Sequence, residues 1–155
     1  MKLILILVIA ALSIPMLAQS NGKAEVFSAK DIQAQLASLG QKAQTSGSSG
    51  TSLGNYQSHS INLSVRTKSG GAEVHGHFDD VMIVTKGTAT LITGGTVVDP
   101  KTKDNGETLG TSIKDGESHT ISVGDVIHVP AGTPHQLIVP EGTEYSAMVV
   151  KVHEP

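Results

Sequence analysis

Gly124-Asp125-Val126-Ile127-His128-Val129-Pro130-Ala131-Gly132-Thr133-Pro134-His135 is the stretch whose reading decides the fold. It reads as a turn, a short apolar strand, a Pro/Gly turn and a histidine opening another strand, Gln136 to Val139. A histidine so placed is one half of a metal site. Upstream, Ala72-Glu73-Val74-His75-Gly76-His77-Phe78-Asp79-Asp80-Val81 supplies two more histidines at i and i+2. An extended chain projects such a pair from one face, and the carboxylates that follow are within reach. Together the two stretches offer three imidazoles and an acid.

Both stretches resemble the paired motifs of the cupin superfamily, small β-barrels whose first motif runs G(X)5HXH(X)3-4E(X)6G and whose second runs G(X)5PXG(X)2H(X)3N. Gly124, Pro130, Gly132 and His135 fall at the spacing of the second motif, with Val139 in place of its Asn. In the first, counting back from Gly87 puts Asp80 at the position of the glutamate, and two residues separate it from His77 where the family has at least three. Without a gap Val74 and Gly76 would stand at the histidine positions, so either the turn near Phe78 is one residue shorter or this half of the site is degraded. The resemblance covers roughly residues 61–152 and implies an all-β fold, the cupin double-stranded β-helix or jelly-roll barrel, here with one N-terminal helix. It also implies a metal held by His75, His77, Asp80 and His135.

Three nitrogens and one oxygen suit a divalent transition metal, Fe, Mn, Ni, Cu or Zn, and leave one or two coordination positions for water or substrate. Asp79 and Glu73 are substitutes for Asp80. Both share strand parity with His75 and His77 in a continuous extended segment, and Glu73, His75 and His77 would then form an i, i+2, i+4 row. His59, His119 and His153 have no partner at useful spacing and read as exposed or structural. His128 reads as a buried, hydrogen-bonded histidine, with a proton-shuttling place on the cavity wall as the alternative. Lys151 reads as a lysine snorkelling on the outer face, the alternative being that it faces an anionic ligand.

The chain has 155 residues, no cysteine and a formal net charge of -3. Lys2 followed by an almost wholly apolar run from Leu3 to Leu17 is a secretory signal-peptide pattern, too short for a membrane span. Residues 1–20 are therefore expected to be a signal peptide, with Gln19 or Asn21 as the first mature residue, and the protein to be secreted or periplasmic with no stable membrane insertion after cleavage. The remaining length of about 135 residues is that of one domain. Without cysteine there is no disulfide and no thiol ligand or nucleophile. The lack of a basic cluster, with no Trp and only two Tyr and two Phe, argues against nucleic acid as a partner.

Ser28 is a helix cap with Asp31 at the capping-box position, and Ile32, Leu36 and Leu39 recur at helical spacing before Gly40, which is expected to end the helix. Residues 45–54 are almost entirely Ser, Gly and Thr and read as a flexible linker, so that residues 21–55 form a tethered helix and linker ahead of a barrel domain at 56–155. Strands are expected at His59–Val65, Ala72–His77, Val81–Thr85, Ala89–Thr93, Ser118–Val123, Val126–Val129, Gln136–Val139 and Tyr145–Val152. Residues 99–116 read as a long polar loop that either covers the barrel mouth or is mobile.

No nucleophile elbow, phosphate loop or dinucleotide fingerprint is present, so any catalysis rests on the metal. The expected function is that of an exported single-domain cupin binding a divalent metal and a small organic molecule, with oxygenase, isomerase and lyase chemistry all open. The alternative is a non-catalytic small-molecule-binding or metal-free module, and a homodimer through exposed strand edges is permitted but not required.

Overall fold

A computed structural model describes residues 22–154, so the expected signal peptide lies outside the described residues. Ser28 opens helix α1 (Ala29–Ser46): its hydroxyl accepts the Asp31 N–H at 3.1 Å and donates to Asp31 Oδ2 at 2.7 Å, satisfying a first-turn donor. The expected stop at Gly40 is not where the helix ends. It runs on to Ser46 and closes on Gly47, which takes φ 83° and returns its N–H to Ala43 O at 2.7 Å, a left-handed cap suited to glycine. Gly40 is buried instead, where the helix presses on the barrel: a Cβ there would lie 2.9 Å from Glu144 Oε2.

The flexible linker expected at 45–54 is a strand. β1 (Ser48–Asn55) pairs antiparallel with β2 (His59–Arg66). Ladder hydrogen bonds belong to the backbone, which a Ser/Gly run possesses like any other, and a waiting neighbour supplies partners that composition does not report. The helix is packed as well, not tethered. Leu39 and Ala43 are buried against Leu63 and Val65, with Ile32, Leu36, Leu53 and Met148 at the margin.

The remaining strands are β3 (Ala72–His75), β4 (Phe78–Lys86), β5 (Thr88–Thr93), β6 (Thr96–Val98), β7 (Lys101–Thr102), β8 (Glu107–Gly110), β9 (Ser112–Lys114), β10 (Glu117–Ser122), β11 (Val126–Val129), β12 (His135–Ile138) and β13 (Tyr145–His153). One sheet has the order β1-β2-β13-β4-β11 and the other β10-β5-β12-β3-β8-β7, with β6 and β9 as a separate pair. Met82, Val84, Val129 and Ala147 of the first meet Ala89, Leu91 and Ile121 of the second in a shared core. The stretch 99–116 is no featureless loop: β8 lies antiparallel to β3 and sets Glu107 opposite His75.

Strand β2 buries side chains in both directions. Leu63 and Val65 go under the helix, while Asn62, Ser64 and Arg66 line the barrel interior, because alternate residues point to opposite faces. Its apolar residues therefore face the helix and its polar ones face the cavity, and helix α1 is what allows a polar-lined barrel wall. Leu39→Ala is expected to lower unfolding free energy by roughly 2–5 kcal/mol, the range for buried leucine truncation, whereas Gln41→Ala on the exposed side leaves it within about 0.5 kcal/mol. Urea denaturation of the two variants checks this, since a tethered helix would make both neutral.

Candidate metal centre

His75 is the last residue of β3 and His135 the first of β12, and the pairing of these strands puts His135 opposite Glu73. The turn of the second motif docks on the first: Gly132, at φ 75°, donates its N–H to His75 O at 2.8 Å. Both rings are oriented from their Nδ1 side. His75 Nδ1 meets Glu107 Oε2 at 2.5 Å and His135 Nδ1 meets the Thr133 carbonyl at 3.1 Å, which leaves each ring its Nε2 for other partners.

Those nitrogens converge with carboxylates. His75 Nε2 lies 3.3 Å from Asp80 Oδ2 and 3.8 Å from Glu73 Oε2, and the His75 and His135 ring centroids are 5.0 Å apart. One donor atom from each of Glu73, His75 and His135 falls within 4.8 Å of the others. An ion at about 2.1 Å from each would hold them within roughly 4.2 Å of one another, a spacing that His75 Nε2 and Glu73 Oε2 already meet at 3.8 Å. His75, His135 and Asp80 are buried and Glu73 is half-buried.

His77 is not brought to this cluster. Strand β3 ends at His75, Gly76 and His77 form a bend, and the exposed His77 ring lies beside Gly106. Strand parity holds only while the chain is extended, and the bend breaks the expected row after its second member. Asp79 is also engaged elsewhere: its oxygens take His128 Nε2 at 2.9 Å and the Ala131 N–H at 2.7 Å. His128 is therefore exposed on the outside, not buried or on the cavity wall. The row Glu73, His75 with Asp80 was legible in the first motif. Its four-residue spacer, counted back from Asp80, puts His75 at the second histidine position and Glu73 at the first.

Lys151 takes the inward place that the sequence offered only as the alternative to the outer face. On the inward row of β13, its ammonium lies 2.8 Å from Asp80 Oδ1 and 3.0 Å from His75 Nε2. A lone lysine in an apolar strand carries no signal of which face it occupies; only the register of β13 against β4, which sets Lys151 opposite Asp80, decides it. Three carboxylates, Glu73, Asp80 and Glu107, thus surround two histidines with Lys151 and Arg66 as the fixed cations. Burial works against charge on His75, but the Asp80 hydrogen bond and neighbouring carboxylates leave its pKa raised. Burial likewise opposes the Asp80 charge, and His75 and Lys151 outweigh it and hold its pKa below the usual value. Burial lowers the pKa of His135 and so keeps its lone pair available.

Next to this cluster the two sheets enclose a cavity of about 190 Å³, with Met82, Leu91, Leu137 and Val149 as apolar wall and the polar residues of β2 beside them. Comparison with solved structures makes the fold plain. An uncharacterised double-stranded β-helix protein from Klebsiella pneumoniae superimposes with a TM-score of 0.59 at 12% identity, covering 84% of this chain and 91% of that one. The cupin domain of Cnp3 from Schizosaccharomyces pombe gives 0.52 at 9% identity, covering 69% and 61%. The chain has the cupin fold. The DMSP lyase DddQ from Ruegeria pomeroyi gives 0.51 at 13% identity, covering 69% of this chain and 47% of that one, and the polyketide cyclase RemF from Streptomyces resistomycificus gives 0.51 at 16%, covering 70% and 66%. This cupin barrel thus spans about half the length of that lyase. No family model and no curated protein matches the sequence. At these identities the likeness is one of fold.

The Asp80 shift carries a pH prediction. Its folded pKa is depressed, so the stability it contributes is present above the unfolded value of about 3.9 and is lost as pH falls through the lower folded value. The raised pKa of His75 acts oppositely, contributing in acid and fading as pH rises above about 6.5. The stability gap between wild type and Asp80→Asn, measured by thermal denaturation in chelator, is expected to be widest between those limits and to narrow below about pH 3.9.

Proposed function

We propose that this cupin barrel is a metal-dependent small-molecule enzyme in which Glu73, His75 and His135, with Asp80 beside them, hold one divalent transition metal. The observation that carries the reading is the orientation of the two buried histidines: each has Nδ1 tied, and their side chains share one cluster with Glu73 beside the cavity. Two imidazoles with carboxylate oxygens match Fe, Mn, Ni, Cu or Zn. Such an ion, when bound, supplies Lewis-acid polarisation of a coordinated substrate oxygen. The chain's own residues do the rest. Glu107 fixes the His75 tautomer and raises its basicity, the apolar wall of Met82, Leu91 and Val149 excludes water, and the Lys151 ammonium sets a positive charge beside the site for developing negative charge. The substrate in this reading is a small oxygen-bearing organic molecule, and lyase or isomerase chemistry fits a site whose fixed ammonium can stabilise an oxyanion.

A second reading rests on Lys151 itself. Its ammonium lies among the same donors, which is the arrangement of a metal-free binding module with a built-in cation. Metal analysis of untagged protein separates the two. The enzyme reading expects a single first-row metal near one per chain, lost in His135→Ala and kept in His77→Ala. Lys151→Met is expected to bind that metal more tightly, by tenfold or more, because a competing charge worth over 1.4 kcal/mol is removed. Substoichiometric mixed metals in wild type and in Lys151→Met would establish the binding module.

The setting we propose is outside the cytoplasm, on the strength of the apolar run at residues 3–17. Intact-mass measurement of protein recovered from the expressing cells is expected to begin at Gln19 or Asn21, and a mass including Met1 would refute cleavage.

A further inference from the structure

The metal cluster accounts for one part of the cavity wall and leaves another unexplained. Tyr145 stands at the start of the inward row of β13 that ends in Lys151, and it lines the same cavity. It is 2% exposed, yet its hydroxyl finds no hydrogen-bond partner among the described residues. A buried hydroxyl without a partner is destabilising, so its retention points to a polar atom supplied from elsewhere. Arg66 lies opposite Tyr145 in the β2–β13 register and also lines the cavity. Its guanidinium has five N–H donors against one side-chain acceptor among the described residues, Glu73 at a long 3.4 Å. A Cβ on Gly70 would come within 2.9 Å of Arg66 Nη1, so glycine there leaves the guanidinium its room.

We propose that Arg66 and the Tyr145 hydroxyl form a carboxylate-binding subsite, and that the ligands of this barrel are small carboxylic acids. Donors only, one of them permanently cationic, call for an acceptor bearing negative charge, and the planar guanidinium matches a carboxylate's two oxygens. Burial pushes the phenol pKa up to about 12, with Arg66 pulling against it, so Tyr145 stays protonated and offers its hydrogen. The intervening wall of Leu91, Leu137 and Ala147 is apolar and suits a short carbon skeleton. The acid's carboxylate would sit at Arg66 and Tyr145 while its other end reaches Lys151 and the histidines. The inference rests on the small-molecule reading of the barrel and not on the metal.

The test uses three matched pairs of acid and amide: butyrate and butyramide, 3-hydroxybutyrate and 3-hydroxybutyramide, 2-oxobutyrate and 2-oxobutyramide. Each is titrated calorimetrically into wild type, Arg66→Gln and Tyr145→Phe, in metal-loaded and metal-stripped form. In at least one pair the acid is expected to bind tenfold or more tightly than its amide. That preference disappears in Arg66→Gln, and acid affinity falls about tenfold in Tyr145→Phe. Without ligand, Tyr145→Phe is expected to melt at the same temperature as wild type or higher, because it removes an unpaired buried hydroxyl while keeping the ring. Equal binding of acids and amides throughout, no acid binding at all, or a Tyr145→Phe protein that melts lower and binds acids unchanged would each overturn the proposal, the last because it shows a hydroxyl satisfied within the empty barrel. Metal content measured on the same samples separates the two readings. Acid preference in protein that holds no specific metal retires the metal centre alone, and stoichiometric metal without acid preference retires the subsite alone.

Discussion

With 7% of its surface exposed, His75 can satisfy its ring nitrogens only through protein neighbours, and those neighbours arrive from separate parts of the chain. Glu107 comes from β8, Asp80 from β4 and Lys151 from β13, while Gly132 of the second-motif turn holds the His75 carbonyl. Removing any of these leaves a buried polar group partly unpaired, at a cost of about 1–3 kcal/mol. The stretch between β6 and β10 is therefore tied to the barrel by chemistry as well as by strand pairing. The same network sets His75 Nε2 beside Asp80 and Lys151, so the contacts that hold the ring are also those that shape the cluster.

A second constraint acts through β2. A barrel wall that offers Asn62, Ser64 and Arg66 to its interior loses apolar area that a small domain needs. Helix α1 restores it by covering the other face of the same strand with Leu39 and Ala43 over Leu63 and Val65. The helix thus stabilises the polar lining from behind. Arg66 and Tyr145 can stand in the cavity because stabilisation is drawn from outside the barrel.

Much of this was legible in the sequence wherever the signal is local. The turn, strand, Pro/Gly turn and histidine of residues 124–135 fold as their spacing says, since φ preferences of Gly and Pro act on their own neighbours. The first motif was harder. Gly76 and His77 bend where strand parity was assumed to continue, so a histidine that reads as a ligand faces outward and Glu73 takes its place beside His75. The Ser/Gly run misled for a related reason: composition reports side-chain burial, and β1 is held mainly by backbone pairing to β2. Tyr145 left no trace and Lys151 stayed between two faces, because a strand as apolar as β13 has no alternation to reveal which residues look inward.

The sequence alone therefore determined the fold class, the helix start at Ser28, most strand positions and three of the residues that meet in the cluster, His75, Asp80 and His135, with Glu73 named as a substitute. Tertiary structure decided Lys151 beside Asp80 and the pairing of Arg66 with Tyr145 across two strands, and it chose Glu73 over His77 where the motif's spacing admitted both. The division follows from range. Turn chemistry and periodicity are set within a few residues, whereas a site in a closed barrel depends on the register of strands far apart in the chain, and a one-residue difference in that register sends every side chain to the opposite face.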